Sequence, residues 1–269
     1  MQARRLPAAR GVFWLFEGFR LFRRNPPLIT ALTLVYLLAV QLLAMLPLIG
    51  PVLLPLLLPA MTLIVANGCR VIDLQQTPGK ATLLFGLAGH GNNFPALLRL
   101  GGLQLAGALV VVMLSTLIGG GEDPFATSLM SDSAAPDGEA NVDTAAQAAL
   151  LGKLAQVLLL ATPLIIAFWF APFLVGWDRV APAKSLFFST VASLRNWRAM
   201  AMFSLAAVAV AGILPGFILI VIGQFSGMAL SAALVVLRML LIFLVAPVLT
   251  ASIYISYRDI FRADADTHA

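Results

Sequence analysis

Long apolar runs separated by short polar segments set the pattern of this chain from end to end. A helix of about 20 apolar residues is long enough to cross a hydrocarbon core of roughly 30 Å. Six such runs are read: Pro27 to Leu46, Pro51 to Ile72, Pro95 to Ile118, Lys153 to Gly176, Arg198 to Ile222, and roughly Leu237 to Tyr257. The pattern predicts an all-α, polytopic membrane protein with six transmembrane helices. Composition agrees, with 61% hydrophobic and 11% charged residues among 269 and a mean hydropathy of +0.97. A soluble domain carries about a quarter charged residues. The first run follows a long basic stretch and is succeeded at once by a second run, so it reads as a retained helix and not a signal peptide.

Charge then orients the spans. Every Lys and Arg except Lys153 and Arg238 falls on one side: Arg4 to Arg24, then Arg70, Lys80 and Arg99, then Arg179, Lys184, Arg195 and Arg198, and finally Arg258 and Arg262. The opposite connections carry no basic residue, while the segment 119–152 holds Glu122, Asp123, Asp132, Asp137, Glu139 and Asp143. By the positive-inside rule both termini are expected in the cytoplasm and the acidic loop outside, with at most a short helix from Asp143 to Leu151. The net charge of +5 is therefore read as a topology signal, and no nucleic-acid partner is expected.

Three internal repeats are expected. "TPGKATLLFGLAGHGNNFPALL" aligns without a gap on "APAKSLFFSTVASLRNWRAMAM", matching Pro78 with Pro182, Lys80 with Lys184 and Asn92 with Asn196. The same register matches Pro59 with Pro163, and the end of the chain matches Pro59 with Pro247 and Arg70 with Arg258. Each unit is a lead-in segment, a basic-Asn step, one span out and one span back. The units run about 11–73, 78–180 and 182–262, within a single membrane domain.

The lead-in "GVFWLFEGFRLFRRNPPL" predicts an interfacial helix over Gly11 to Arg24. Val12, Leu15, Phe16, Phe19 and Phe22 lie on one arc and Arg10, Glu17, Arg20 and Arg24 opposite. Phe13, Trp14 and Leu21 fall outside that arc, so part of the helix is expected to pack on protein. Asn25 suits an N-cap, and Pro26 suits the first turn.

Candidate sites follow from groups that are costly in a bilayer. Arg20, Arg23, Arg24, Lys80, Lys184 and Arg195 are candidate contacts for anionic lipid head groups. Pro55 and Pro59 interrupt the second span and free backbone carbonyls. With Pro163, Pro247, Asn67 and Gln104 they are candidates for a cavity, to which Gln41 and Gln156 could add polar contacts. Kinks tolerated by neighbouring helices are the plainer reading. Arg238 is read at the outer interface, where it snorkels, with Gln224 to Leu237 interfacial or re-entrant. Arg70 with Asp73, Asp178 with Arg179, and Arg258 with Asp259 close the return spans; they are either solvated pairs or a charged mouth. "GHGNN" (89–93) is read as a turn, and Gly212/Gly216 and Gly223/Gly227 as spacings for helix packing or for contact with a second copy in a homo-oligomer.

Cys69 is the single cysteine, so no disulfide framework is expected. No Asp, Glu or His falls within a span, which disfavours proton coupling. No metal cluster, cofactor motif or nucleophile–base pair is found, so no enzyme is expected.

The opening "ARGVFWLFEGFRLFRRNPPLI", the block "PLIGPVLLPLLLPAMTLIVANGCRVID" and the repeated "PxK…N" segment resemble a family of proteobacterial inner-membrane proteins without an assigned activity. They are similar, more loosely, to the membrane domain found with some glycerophosphodiester phosphodiesterases and to YciC-like proteins. The resemblance covers the whole chain and implies a six-helix protein of the cytoplasmic membrane, with no catalytic residues to carry over. Two functions stand: a non-enzymatic protein binding membrane lipids or a protein partner through its basic face, and a small permease or lipid-handling transporter with a cavity at the prolines.

Overall fold

The structure is a computed structural model that describes residues 4–87, 93–118, 144–224 and 227–261, with the backbone alone at 144–150 and 227–229. Among these residues every regular element is helical. The elements are α1 (Arg10–Arg24), α2 (Pro26–Ala44), α3 (Gly50–Asp73), α4 (Lys80–Leu83), α5 (Phe94–Ile118), α6 (Thr144–Phe168), α7 (Ala171–Gly176), α8 (Pro182–Arg195), α9 (Trp197–Val208), α10 (Leu214–Gly223), α11 (Gly227–Leu240) and α12 (Ala246–Phe261). Six stretches are long and apolar enough to cross a bilayer: Pro26–Ala44, Gly50–Asp73, Phe94–Ile118, Leu151–Gly176, Trp197–Gly223 and Leu230–Phe261. These are the six runs expected from the hydropathy pattern, so the all-α polytopic class holds.

Local chemistry explains where the helices start and bend. Asn25 Oδ1 accepts from Leu28 N at 3.3 Å, and Pro26 and Pro27 fill the first turn of α2, where their missing N–H groups cost nothing. The return span from Leu151 breaks between α6 and α7. There Ser189 of α8 accepts from Phe170 N at 3.0 Å and donates to Ile166 O at 3.3 Å. One hydroxyl satisfies the amide and the carbonyl that the break releases, which is what makes a bent helix tolerable at membrane depth.

Two π-helical turns, Ala209–Ile213 and Leu241–Val245, join α9 to α10 and α11 to α12. Each ends two residues before a proline, Pro215 or Pro247, whose ring cannot sit against the carbonyl four residues back. Widening the preceding turn keeps both helices continuous. The last helix therefore runs from Gly227 to Phe261 in one piece, and of the segment expected to be interfacial or re-entrant, Gln224 to Leu237, the residues from Gly227 onward are its outer part, paired with α10. Likewise α6 begins at Thr144 and passes into its span without a break, where a separate short helix was expected.

The lead-in helices share one kind of neighbour. α1 packs on α12 and α9, α4 on α3, and α8 on α6 and α7. Each short helix that precedes an outgoing span thus rests on a returning one. In the second unit this helix is only Lys80–Leu83, and Asn92, with most of "GHGNN", lies outside the described residues. Most of the acidic loop, 119–143, also lies outside them.

Packing is concentrated at the end where α1, α3, α7 and α12 meet. Trp14, Leu63, Cys69, Leu97, Phe170, Phe173, Ala199, Ile255 and Tyr257 are all almost fully buried there. Gly101 lets α5 approach so close that a Cβ would collide with Leu56 O of α3. At the other end Leu117, Leu159, Ile213 and Val236 are exposed, and only 6% of the most apolar window of Trp197–Gly223 is buried, against 44% for α3.

Candidate functional site

The charged groups at the packed end are organised by α1. Its buried face is Gly11, Trp14, Gly18, Leu21 and Phe22. Gly11 faces the Ala199 carbonyl of α9 and Gly18 faces Ser252 of α12, each with no room for a Cβ. Of the three residues outside the apolar arc, Trp14 and Leu21 pack on protein as expected, whereas Phe13 does not. Phe13 is exposed with Phe16 and Phe19 of the arc, while Phe22 of the arc is buried, so the expected arc is divided between protein and surroundings.

Seated in this way, α1 presents its charges to the ends of α3 and α12. Arg10 pairs with Asp259 at 2.7 Å and with Glu17 at 3.4 Å. Trp14 Nε1 donates to the same Asp259 oxygen at 3.0 Å. Glu17 pairs with Arg258 at 3.0 Å, and Arg258 reaches both oxygens of Asp73. Tyr254 donates its hydroxyl to Asp73 at 2.9 Å, and Arg24 approaches the same carboxylate at 3.8 Å. At the end of the last return span the neighbouring Arg258 and Asp259 are each engaged by another helix: Asp259 takes Arg10 of α1, and Arg258 takes Asp73 of α3.

Between these groups lies an open cleft of about 270 Å³, lined by Glu17, Arg20, Leu21, Arg24, Asp73, Ile255 and Arg258. Three guanidinium groups face two carboxylates, and both carboxylates are already paired. Arg20 has no hydrogen-bond or ionic partner among the described residues. The cleft thus has an unmatched positive charge and polar walls, the chemistry that receives a phosphate or carboxylate.

Behind the cleft an aromatic cluster fixes the helix ends. Phe173 and Trp177 stack at 5.2 Å, and Trp177 meets the Tyr257 ring edge-on at 5.1 Å. The Tyr257 hydroxyl donates to Asp178. Trp177 Nε1 donates to Asn67 Oδ1 at 2.7 Å, while Asn67 Nδ2 donates to the carbonyls of Leu83 and Phe85 at 2.8 and 2.9 Å. The Arg70 guanidinium lies over the Phe85 ring at 4.9 Å and the Trp177 ring at 5.4 Å.

Over 264 residues, 97% of this chain and 94% of the relative, the sequence is 31% identical to the "Probable inner membrane protein BTH_II0599" of Burkholderia thailandensis. The chain belongs to that inner membrane protein family. No family model and no solved structure matches it. With six membrane-length helices, this family member is a multi-pass inner membrane protein.

Of its six candidate head-group residues, Arg20 and Arg24 come together in the cleft. Arg23 lies over the Phe19 ring at 6.0 Å, and Lys80, Lys184 and Arg195 are exposed away from the cleft lining. The candidate cavity residues do not converge. Pro59 and Pro247 are buried, Pro55 and Gln104 half-buried, and Pro163 exposed. Asn67 alone borders a described cavity, of about 240 Å³ beside Arg70 and Phe85, and its amide is spent on three hydrogen bonds. Of the two remaining glutamines, Gln41 is exposed, and Gln156 donates to Ser115 O at 3.4 Å.

Sequence reasoning missed Glu17, Tyr254 and Tyr257 as parts of this arrangement. The string "YISYRDI" carried a signal: two tyrosines three residues apart lie on one helix face beside an Arg-Asp pair.

Proposed function

We propose that the protein is a non-enzymatic inner membrane component that holds anionic phospholipid head groups at its basic end, and that this end faces the cytoplasm. The single observation that carries the reading is the cleft beneath α1, where Arg10, Arg24 and Arg258 balance the carboxylates of Glu17, Asp73 and Asp259 and Arg20 adds a further, unmatched positive charge. The exposed Phe13, Phe16 and Phe19 of the same helix suit insertion at the head-group boundary. The loop-charge asymmetry supports cytoplasmic termini. Three related hairpins, each with its lead-in helix resting on a returning span, are the architecture that would present this face. The looser resemblance to the membrane domain that accompanies some glycerophosphodiester phosphodiesterases fits a lipid-facing role.

The test is binding of phosphatidylglycerol against phosphatidylcholine to the full chain in nanodiscs. Each cation near an anionic surface contributes about 1 kcal/mol, so the Arg20, Arg23 and Arg24 triple change to Gln lowers the preference for phosphatidylglycerol by roughly 100-fold at low salt. An unchanged preference in the triple variant removes the proposal.

A further inference from the structure

The end of the molecule opposite the charged cleft holds a second feature. A groove of about 550 Å³ runs between α10 and α11, with Gly212, Gly216 and Leu219 on one side and Leu234, Arg238 and Leu241 on the other. Its walls are apolar apart from one group, the Arg238 guanidinium. Arg238 is exposed and has neither a hydrogen bond nor an ion pair among the described residues. The two glycines do not serve the packing role expected of their spacing. A Cβ built at Gly212 or Gly216 meets no other atom within 4 Å, so their small size opens the groove and brings no helix closer.

The position of Arg238 identifies the occupant. It lies on the same continuous helix as Arg258, 20 residues away (258 − 238), which at a rise of 1.5 Å is about 30 Å. That is the thickness of the hydrocarbon core, so with Arg258 at one head-group level Arg238 stands at the other. A cation with no partner among the described residues draws an anion there, and the anion a bilayer offers at that depth is the phosphodiester of a phospholipid, whose geometry matches a guanidinium. A second copy of this chain is the weaker occupant. A two-fold contact through the groove would bring two Arg238 side chains together, and among the described residues no acidic one lines it.

We infer that the α10–α11 groove is a phospholipid site in the leaflet opposite the basic end, with the phosphate on Arg238 and an acyl chain laid over Gly212 and Gly216. The site recognises the phosphodiester and takes either an anionic or a zwitterionic head group. It is independent of the cleft at the basic end.

The experiment is native mass spectrometry of the full chain carrying Arg20→Gln, Arg23→Gln and Arg24→Gln, which silences the other end. Phosphatidylglycerol, phosphatidylethanolamine and diacylglycerol are titrated separately. Both phospholipids are expected to be retained at one strong site, and diacylglycerol is not. Arg238→Gln weakens retention by about tenfold, the loss expected for a charged hydrogen-bonded pair. The Gly212→Leu/Gly216→Leu double variant also weakens it by about tenfold, by filling the groove where no protein atom stands in the way. The inference is overturned by unchanged retention in either variant, by equal retention of diacylglycerol, or by leucines that change the oligomeric mass and leave the lipid bound.

Discussion

Arg258, near the end of α12, holds its Nη1 2.9 and 3.0 Å from the two carboxylate oxygens of Asp73 at the end of α3, across a separation of 185 residues. The pair joins two returning spans where the packing is densest. Glu17 and Tyr254 complete the hydrogen bonding around it, so α1 cannot leave without exposing an unbalanced charge.

Arg258→Ala leaves Asp73 partly buried with a lost partner, and Asp73→Ala does the converse. Side-chain exposures of 33% for Arg258 and 14% for Asp73 let water relieve part of the penalty. Each single change is expected to cost about 2 kcal/mol, below the fully buried range. The double variant costs clearly less than the sum. Thermal unfolding in detergent measures the cycle, and strict additivity would show that the pair contributes nothing.

Gly18→Leu places a side chain where Ser252 of α12 already stands. Overpacking of this kind costs about 1–3 kcal/mol, and here it is relieved by lifting α1 away. Faster hydrogen exchange over 10–24 is the expected readout, with the far hairpin unaffected.

Asn67→Leu removes one acceptor and two donated bonds at once, stranding the Trp177 indole N–H and the carbonyls of Leu83 and Phe85. Buried groups left unsatisfied cost about 1–3 kcal/mol each, so a loss of about 3 kcal/mol or more is expected. A shift in tryptophan emission should accompany it, because the Trp177 indole N–H loses its Asn67 acceptor.

Cys69 is buried with 1% of its surface exposed. A maleimide should leave the native protein unlabelled in mild detergent and react fully once the chain is denatured. Rapid labelling of the native protein would contradict the packing of α3.

Orientation is tested with Cys69→Ala as background and a cysteine at Ser131. An impermeant label applied to intact cells stripped of their outer envelope should reach position 131 before lysis. Labelling only after lysis would reverse the faces.

Much of this fold was legible because a bilayer imposes a coarse rule. A greasy run such as Pro27 to Leu46 has one stable fate, and Asn25 with Pro26 and Pro27 marks where it begins. What fell outside that rule depended on distant partners. Asp73 and Arg70 are neighbours on one helix, yet the acid is used by Arg258 of another, and a single sequence does not encode that choice visibly. Pro55, Pro59, Pro163 and Pro247 were open to two readings, kinks tolerated by neighbouring helices or broken helices lining a cavity. Pro55 and Pro59 lie inside α3, Pro163 is exposed within α6, and Pro247 is absorbed by a π turn. Trp14 was the most telling misfit on α1: off the apolar arc, fully buried, and hydrogen-bonded to Asp259.

The uneven packing has a consequence for how the molecule survives outside its native surroundings. Ion pairs and rings lock one end together, whereas the α10–α11 hairpin leans largely on itself, with Ile213, Phe217, Leu234 and Val236 facing outward. There the hydrocarbon chains act as the absent wall of the fold. Stripping them away should loosen that hairpin first and leave the opposite end intact, so extraction would melt the protein in two stages, the first of them governed by whichever amphiphile replaces the bilayer.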